Sequence, residues 1–163
     1  HYQRHSLRNR TYIVGANKTL LLTVPVVSKN SSKTLIENIK IATNNWKKKH
    51  INSIQSYYGS APFFIHYFED LKKIINKNHI FLIDLNYDLL TYILVELQIN
   101  KEIKKTKSYI HNYSNKFIDQ RNSIKIDMNT KKYQPFGYVN SINNLSIIDL
   151  LFNVGPNAKK YIS

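Results

Sequence analysis

A change in hydrophobic period near position 45 is the feature that most constrains the fold of this chain. Before it, residues 11–27 contain two β-rich runs around the segment 15–18 (Gly-Ala-Asn-Lys), whose glycine and asparagine tolerate the positive φ of a tight turn. After it, large side chains recur at every third or fourth position from Trp46 to Tyr57, which is the spacing of one helix face. The pattern predicts a β-hairpin followed by helices.

The remaining elements follow the same pattern. Alternation across 35–42 predicts another short strand, and Pro25 predicts that the second hairpin strand lies at a sheet edge or ends there. Four helices are predicted. The first is capped by Asn44 or Asn45, and the second starts at Ser60 and Pro62. The third runs from about Asp84 (as N-cap) to Leu97, and the fourth is a short apolar helix from Leu145 to Phe152, closed by Gly155-Pro156. A charged segment, 101–110, is a candidate short strand, and 111–144 is predicted to be mostly loop. The fold class is therefore α/β, with residues 1–163 as one domain.

Composition excludes several classes of protein. The longest apolar run, 19–27, is too short to span a bilayer, and the absence of cysteine excludes disulfides and thiolate metal sites. No glycine-rich nucleotide motif or metal-binding motif is present, so we predict no cofactor and no metal. The net charge of +14 comes mainly from lysine, in a chain rich in residues with AT-rich codons, which is typical of an AT-rich genome. A lysine-rich nucleic-acid or polyanion-binding module is the alternative interpretation.

Three of the four arginines lie within residues 4–10 and include the triplet Arg8-Asn9-Arg10. Two arginines at i and i+2 of an extended segment point the same way and could clamp a phosphate or carboxylate. A pair of surface arginines in ion pairs is the structural alternative. The triplet is nevertheless a candidate anion-binding site.

Trp46 and His50 lie one turn apart on the first predicted helix. An indole beside an imidazole can form a platform for a sugar ring next to a proton-transfer group, although a core tryptophan with a hydrogen-bonded histidine has the same pattern. Asp84 and Asp88 share a helix face as well. For these carboxylates we favour a role at the positive end of the helix dipole over acid–base chemistry.

Taken in order, several blocks of the chain resemble the WbqC-like family of bacterial surface-polysaccharide loci. They are HYQRHSLRNRTYI, LLLTVPVV, NWKKKHINSIQSYYGSAPFF, LIDLN and KKYQPFGYVNSINNLSIIDLLFNVGP. The chain begins inside the first block, so the resemblance implies a domain that is incomplete at its N-terminus.

The resemblance implies a cytoplasmic role in O-antigen or capsule synthesis, with acyl or aminoacyl modification of an activated sugar as the inferred chemistry. The expected substrate is a nucleotide sugar or amino sugar, with His50 as the catalytic base. The expected binding residues are Arg8, Asn9, Arg10, Trp46, Tyr58 and Asn86. The alternatives are the polyanion-binding module and a decayed, inactive relative.

Overall fold

The computed structural model describes residues 2, 7–15, 18–27, 34–106, 110, 114, 117 and 145–162. Their elements follow the predicted order of hairpin, helices and C-terminal helix, and this confirms the α/β class. The elements are β1 (Arg10–Val14), β2 (Thr19–Thr23), α1 (Trp46–Tyr58), α2 (Phe64–Asn76), α3 (Leu82–Glu96), α4 (Ile147–Val154) and α5 (Lys159–Ile162), with short 3-10 helices at Ile36–Asn38 and Gly155–Ala158. Turn residues 16–17 and almost all of the predicted loop 111–144 lie outside the described residues.

The hairpin is antiparallel and pairs Arg10 with Thr23 and Tyr12 with Leu21. β2 ends before Pro25, as predicted, because proline has no N–H to donate to a ladder. On its other side, β1 receives the start of the C-terminal segment, where the Ser146 N–H donates to the Tyr12 carbonyl at 2.7 Å. The hairpin thus holds both the N-terminal segment and the C-terminal helix.

The core lies where the helices pack on the hairpin. α2 contributes the stripe that its periodicity predicted, with Tyr67, Phe68, Leu71 and Ile75 all buried. The largest buried side chains include Ile13 of β1, Leu85 of α3, and Leu151 and Phe152 of α4. Burying side chains of this size contributes roughly 1.5–3 kcal/mol each to folding.

The predicted strand at 35–42 is wrong in its detail. Residues Ile36–Asn38 form a 3-10 turn, and Lys40 and Ile41 then pair with two different segments, around Phe81 and Val26. Because consecutive residues pair with different segments, no continuous strand forms. Ile39 is instead buried in a small second core with Leu82.

α3 begins at Leu82, two residues before the predicted N-cap Asp84. Leu82 is completely buried and its N–H donates to the Ile39 carbonyl at 2.9 Å, so packing sets the start of the helix. Asp84 lies in the first turn, where a carboxylate suits the helix dipole. Similarly, α2 starts at Phe64, because Ala61 still belongs to the turn that closes on the Tyr58 carbonyl.

Gly155 ends α4 as predicted, with a φ of +56° that side-chain-bearing residues rarely adopt. A Cβ there would also clash with the Phe63 ring. We expect Gly155→Ala to lower the free energy of unfolding by about 1–2 kcal/mol. The check is urea denaturation beside Asn157→Ala, an exposed control expected to stay within about 0.5 kcal/mol of wild type. Equal stability of the two variants would contradict the strained geometry.

Candidate functional site

A cavity of about 230 Å³ lies where the hairpin, α1, α2, α3 and the start of α4 converge. Its wall contains six of the seven residues expected to form the site: Arg8, Asn9, Arg10, Trp46, His50 and Asn86. Most of the remaining wall is hydrophobic, and none of the described residues that line it is acidic. We call it the arginine cavity. Its composition suits an anionic or polar group with a ring-sized body.

Asn9 fixes the triplet to the hairpin. Its Nδ2 donates to the Val24 carbonyl at 2.9 Å, and the Val24 N–H donates to the Asn9 carbonyl at 2.8 Å. Only 7% of Asn9 is exposed, and its Oδ1 is buried without a hydrogen-bond partner among the described residues. An unsatisfied buried carbonyl costs about 1–3 kcal/mol, so the site is built to accept a donor from elsewhere.

Arg10 adds the complementary feature. Its side chain is half-buried, and its Nε lies buried with no acceptor in the described part of the chain. Asn9 and Arg10 are neighbours in the lining of the cavity, and among the described residues the first has an acceptor, and the second a donor, without a partner. A hydroxyl satisfies both kinds of group, and a phosphate or carboxylate satisfies the guanidinium.

Asn86 positions Arg8 from across the fold. Its Nδ2 donates to the Arg8 carbonyl at 3.0 Å, which joins α3 to the N-terminal segment. Arg8 is half-buried and lines the same cavity as Arg10, although it lies in the turn before β1 and not on an extended segment. This contact gives Asn86 a positioning role.

His50 is held by the hairpin. The Thr23 carbonyl lies 3.1 Å from its Nε2 and can only accept, so Nε2 carries the proton in the neutral ring and the lone pair is on Nδ1. Burial lowers the pKa of His50 below 6.5, and the Thr23 hydrogen bond opposes this in part. The ring is therefore mainly neutral at pH 7, with Nδ1 available as a base.

Trp46 packs edge-on against His50, with ring centroids 5.1 Å apart and an interplanar angle of 70°. Only 6% of the tryptophan is exposed, and it belongs to the main core. The indole therefore supports His50, and little of its surface is open to a ligand. The Asn44 Oδ1 accepts from the Trp46 N–H at 3.0 Å and starts α1, one of the two caps expected.

Tyr58 is the expected site residue that lies elsewhere. It is 2% exposed and absent from the lining of the arginine cavity. Its hydroxyl accepts from the Val14 N–H at 3.1 Å and donates to the carboxylate of Asp149, which is completely buried in α4. Burial raises the pKa of Asp149 to about 6, and the Tyr58 hydrogen bond opposes this. We assign this pair to the core.

Asp84 and Asp88 do not work as a pair. The Asp88 Oδ2 accepts from Lys77 Nζ at 2.7 Å and lies 2.9 Å from His79 Nε2. These hydrogen bonds, that of Lys77 first, lower the pKa of Asp88. The cluster joins the middle of α3 to the residues that follow α2, which is a structural role.

Three features of the cavity could not be read from the sequence. Leu71 of α2 and Ser146 before α4 line it, and the Thr23 carbonyl orients His50. All three depend on contacts between distant segments. Of the three, only the position of Thr23 is related to a sequence pattern, because the hairpin register pairs it with Arg10.

The described residues contain neither a metal-binding cluster nor a membrane-spanning helix. Among them, no three histidine or acidic side chains come close enough to hold a metal ion. The helices of the same residues are all too short or too polar to cross a bilayer.

The comparisons with known proteins give one match. A family model, the WbqC-like protein family, matches residues 1–134, which is most of the chain and includes all seven residues expected from the sequence to form the site. No curated protein and no solved structure matches.

Proposed function

Because the chain belongs to the WbqC-like protein family, we propose that it is a cytoplasmic sugar-modifying enzyme of bacterial surface-polysaccharide biosynthesis. In this proposal it transfers an acyl or aminoacyl group to an activated amino sugar in O-antigen synthesis. The observation that carries the proposal is the pair of buried, unpartnered groups, Asn9 Oδ1 and Arg10 Nε, at a cavity free of acidic side chains among its described lining residues. Such groups favour a ligand that is both hydroxylated and anionic.

Arg8 and Arg10 bind the anionic part of the substrate. At about 230 Å³ the cavity is smaller than the roughly 300–1,000 Å³ of sites for drug-sized ligands. One sugar ring or phosphate group fits inside, and the rest of a nucleotide lies outside the mouth. The hydroxyls of the ring donate to Asn9 and accept from the guanidinium groups.

His50 acts as the general base. The amine of the sugar attacks the carbonyl carbon of an activated acyl donor, and a C–N bond forms while the bond to the leaving group breaks. The leaving group departs with the electron pair of that bond, and Nδ1 of His50 takes the proton from the amine. The Nε2–H donated to Thr23 fixes the ring orientation throughout.

We also propose that residues 1–163 form one domain. The support is that each end of the chain contacts the region of α3. Asn86 Nδ2 donates to the Arg8 carbonyl near the N-terminus, and Lys159 Nζ near the C-terminus donates to the Gln98 carbonyl at 2.9 Å.

The test of binding is a thermal-shift screen with UDP-, dTDP- and GDP-sugars beside a short oligonucleotide, at low and moderate salt. A ligand at 100 times its dissociation constant stabilises the protein by ~2.7 kcal/mol. For a domain of this size, that is a shift of roughly 5–10 °C. A salt-tolerant shift with a nucleotide sugar supports the enzyme. A shift with the oligonucleotide alone, lost at moderate salt, supports the polyanion-binding alternative instead.

We expect Arg10→Gln to weaken binding of that nucleotide sugar about tenfold or more, because it removes a charge-assisted hydrogen bond. Lys48→Gln is the matched control, since it removes one positive charge from an exposed position of α1 outside the cavity. Calorimetric titration of both variants is the measurement. Equal loss of affinity in the two would show that net charge, and not the cavity, holds the ligand.

A further inference from the structure

A second, larger concavity lies on the other side of His50. It measures about 870 Å³ and runs between β2 and the N-terminal half of α1. Trp46 and His50 line both concavities and so form the partition between them. We call it the asparagine groove, after the three asparagines in its wall. Its full polar lining is Thr23, Asn44, Asn45, Lys49, Asn52 and Ser53.

The groove offers amide groups to a ligand. Asn45 and Asn52 are exposed, and their side chains make no hydrogen bond within the described part of the chain. Asn44 uses only its Oδ1, on the Trp46 N–H, and keeps its two Nδ2 donors. Each free amide side chain both donates and accepts, which matches the two groups of another amide.

The backbone of β2 adds a second row of such groups. The Val24 N–H donates to the Asn9 carbonyl and the Gly15 N–H donates to the Lys18 carbonyl, so alternate residues of β2 point their backbone groups toward β1. The same alternation directs those of Leu21 and Thr23 to the outer edge. The bond from His50 Nε2 to the Thr23 carbonyl shows that this edge faces α1. No described residue pairs with the outward groups of Leu21.

The hydrophobic part of the lining fits the apolar segments that lie between the amide groups of an extended chain. Leu20, Leu21 and Pro25 lie along the β2 side, and Lys49 is the one charged group among the described lining residues, since His50 is mainly neutral at pH 7. A ligand with several negative charges therefore has little to bind here. A neutral chain with amide groups at intervals matches the sheet edge, the asparagines and the apolar wall together.

We infer that the asparagine groove binds an extended, amide-bearing chain that pairs with the Leu21 edge of β2 and ends at His50. Its role as the acyl or aminoacyl donor rests on the proposed function, because His50 would then lie between donor and sugar. Two sources share this chemistry, namely the pantetheine arm of an acyl thioester and a short peptide. Binding of such a chain in the groove does not depend on which reaction follows.

The experiment is a two-dimensional ¹H–¹⁵N NMR titration of the whole chain with three neutral probes. They are pantetheine, a tripeptide of alanine capped at both ends, and methyl glucoside as the amide-free carbohydrate control. We expect one or both amide-bearing probes to shift the Leu21 amide and the side-chain amides of Asn45 and Asn52. The tighter of the two identifies the source. Shifts caused only by methyl glucoside, or by none of the probes, would overturn the inference.

Leu21→Pro is the sharpest variant, because it removes an outward N–H that β1 does not use. We expect it to weaken binding of the amide-bearing probe about tenfold. Asn52→Ala serves as a second variant should the proline perturb the hairpin, and Asn76→Ala, on α2, is the control outside the groove. Unchanged affinity in both groove variants would refute the assignment.

Nucleotide-sugar binding is measured on the same samples, so that the two proposals fail separately. Loss of probe binding with intact nucleotide-sugar binding rejects the groove alone. Probe binding that persists without any nucleotide-sugar binding supports the groove and rejects the sugar substrate of the arginine cavity.

Discussion

The His50→Gln variant is expected to acylate the amino-sugar substrate about 10²–10⁴-fold more slowly than the wild type, the usual effect of losing a general base. Glutamine can still donate to the Thr23 carbonyl, so the hairpin contact is kept while the basic nitrogen is lost. An alanine would also remove the edge packing on Trp46, which makes it the poorer test. The measurement is the initial rate of product formation by mass spectrometry.

His66→Gln is the matched control, since His66 is exposed on α2 and absent from the cavity lining. The wild-type rate should also fall on the acid side, with an apparent pKa below 6.5, because burial lowers the pKa of His50 and only the neutral ring is a base. A His50→Gln rate within about threefold of the control would remove His50 from the mechanism.

The second large effect is on stability, at Asp149. Its pKa is 3.8 in the unfolded chain and about 6 in the fold, so the folded state binds more protons between these values. Stability from this group is therefore fully present below about pH 4, falls as pH rises, and is lost above about pH 6. The loss amounts to roughly 3 kcal/mol, at about 1.4 kcal/mol per pH unit.

Asp149→Asn removes this pH dependence, because the amide has no charge to bury and still accepts the Tyr58 hydroxyl. We expect the variant to gain stability relative to wild type as pH rises from 4 to 7, by up to about 3 kcal/mol. Urea denaturation at pH 4.5, 6 and 7.5 measures this difference. A constant difference across the three pH values would show that Asp149 does not titrate in this window.

Local periodicity predicted most of the fold. The α2 stripe and the hairpin follow directly from spacings of three to four and of two, since each element buries one face. The errors occur where contacts with residues distant in the sequence set the secondary structure. Leu82 starts α3 because Ile39 accepts its N–H, and 35–42 fails as a strand because its residues pair with separate segments.

Six residues proposed from the sequence line the arginine cavity, but the geometry in which they meet was not predicted. The rare arginines and the Trp46–His50 spacing marked the residues of the arginine cavity. Tyr58 was misplaced because α1 buries more than one face near its C-terminal end, where Tyr58 contacts both Val14 and Asp149. The asparagine groove was missed altogether, since a free sheet edge depends on which strand neighbours which.

The most direct test of the central claim is a crystal structure of the protein with the nucleotide sugar that stabilises it most. The account predicts that a hydroxyl of the ligand donates to Asn9 Oδ1, or that a hydroxyl or phosphate oxygen accepts from Arg10 Nε, with the sugar amine near His50. Ligand density elsewhere on the surface, with both atoms still without partners, would contradict it.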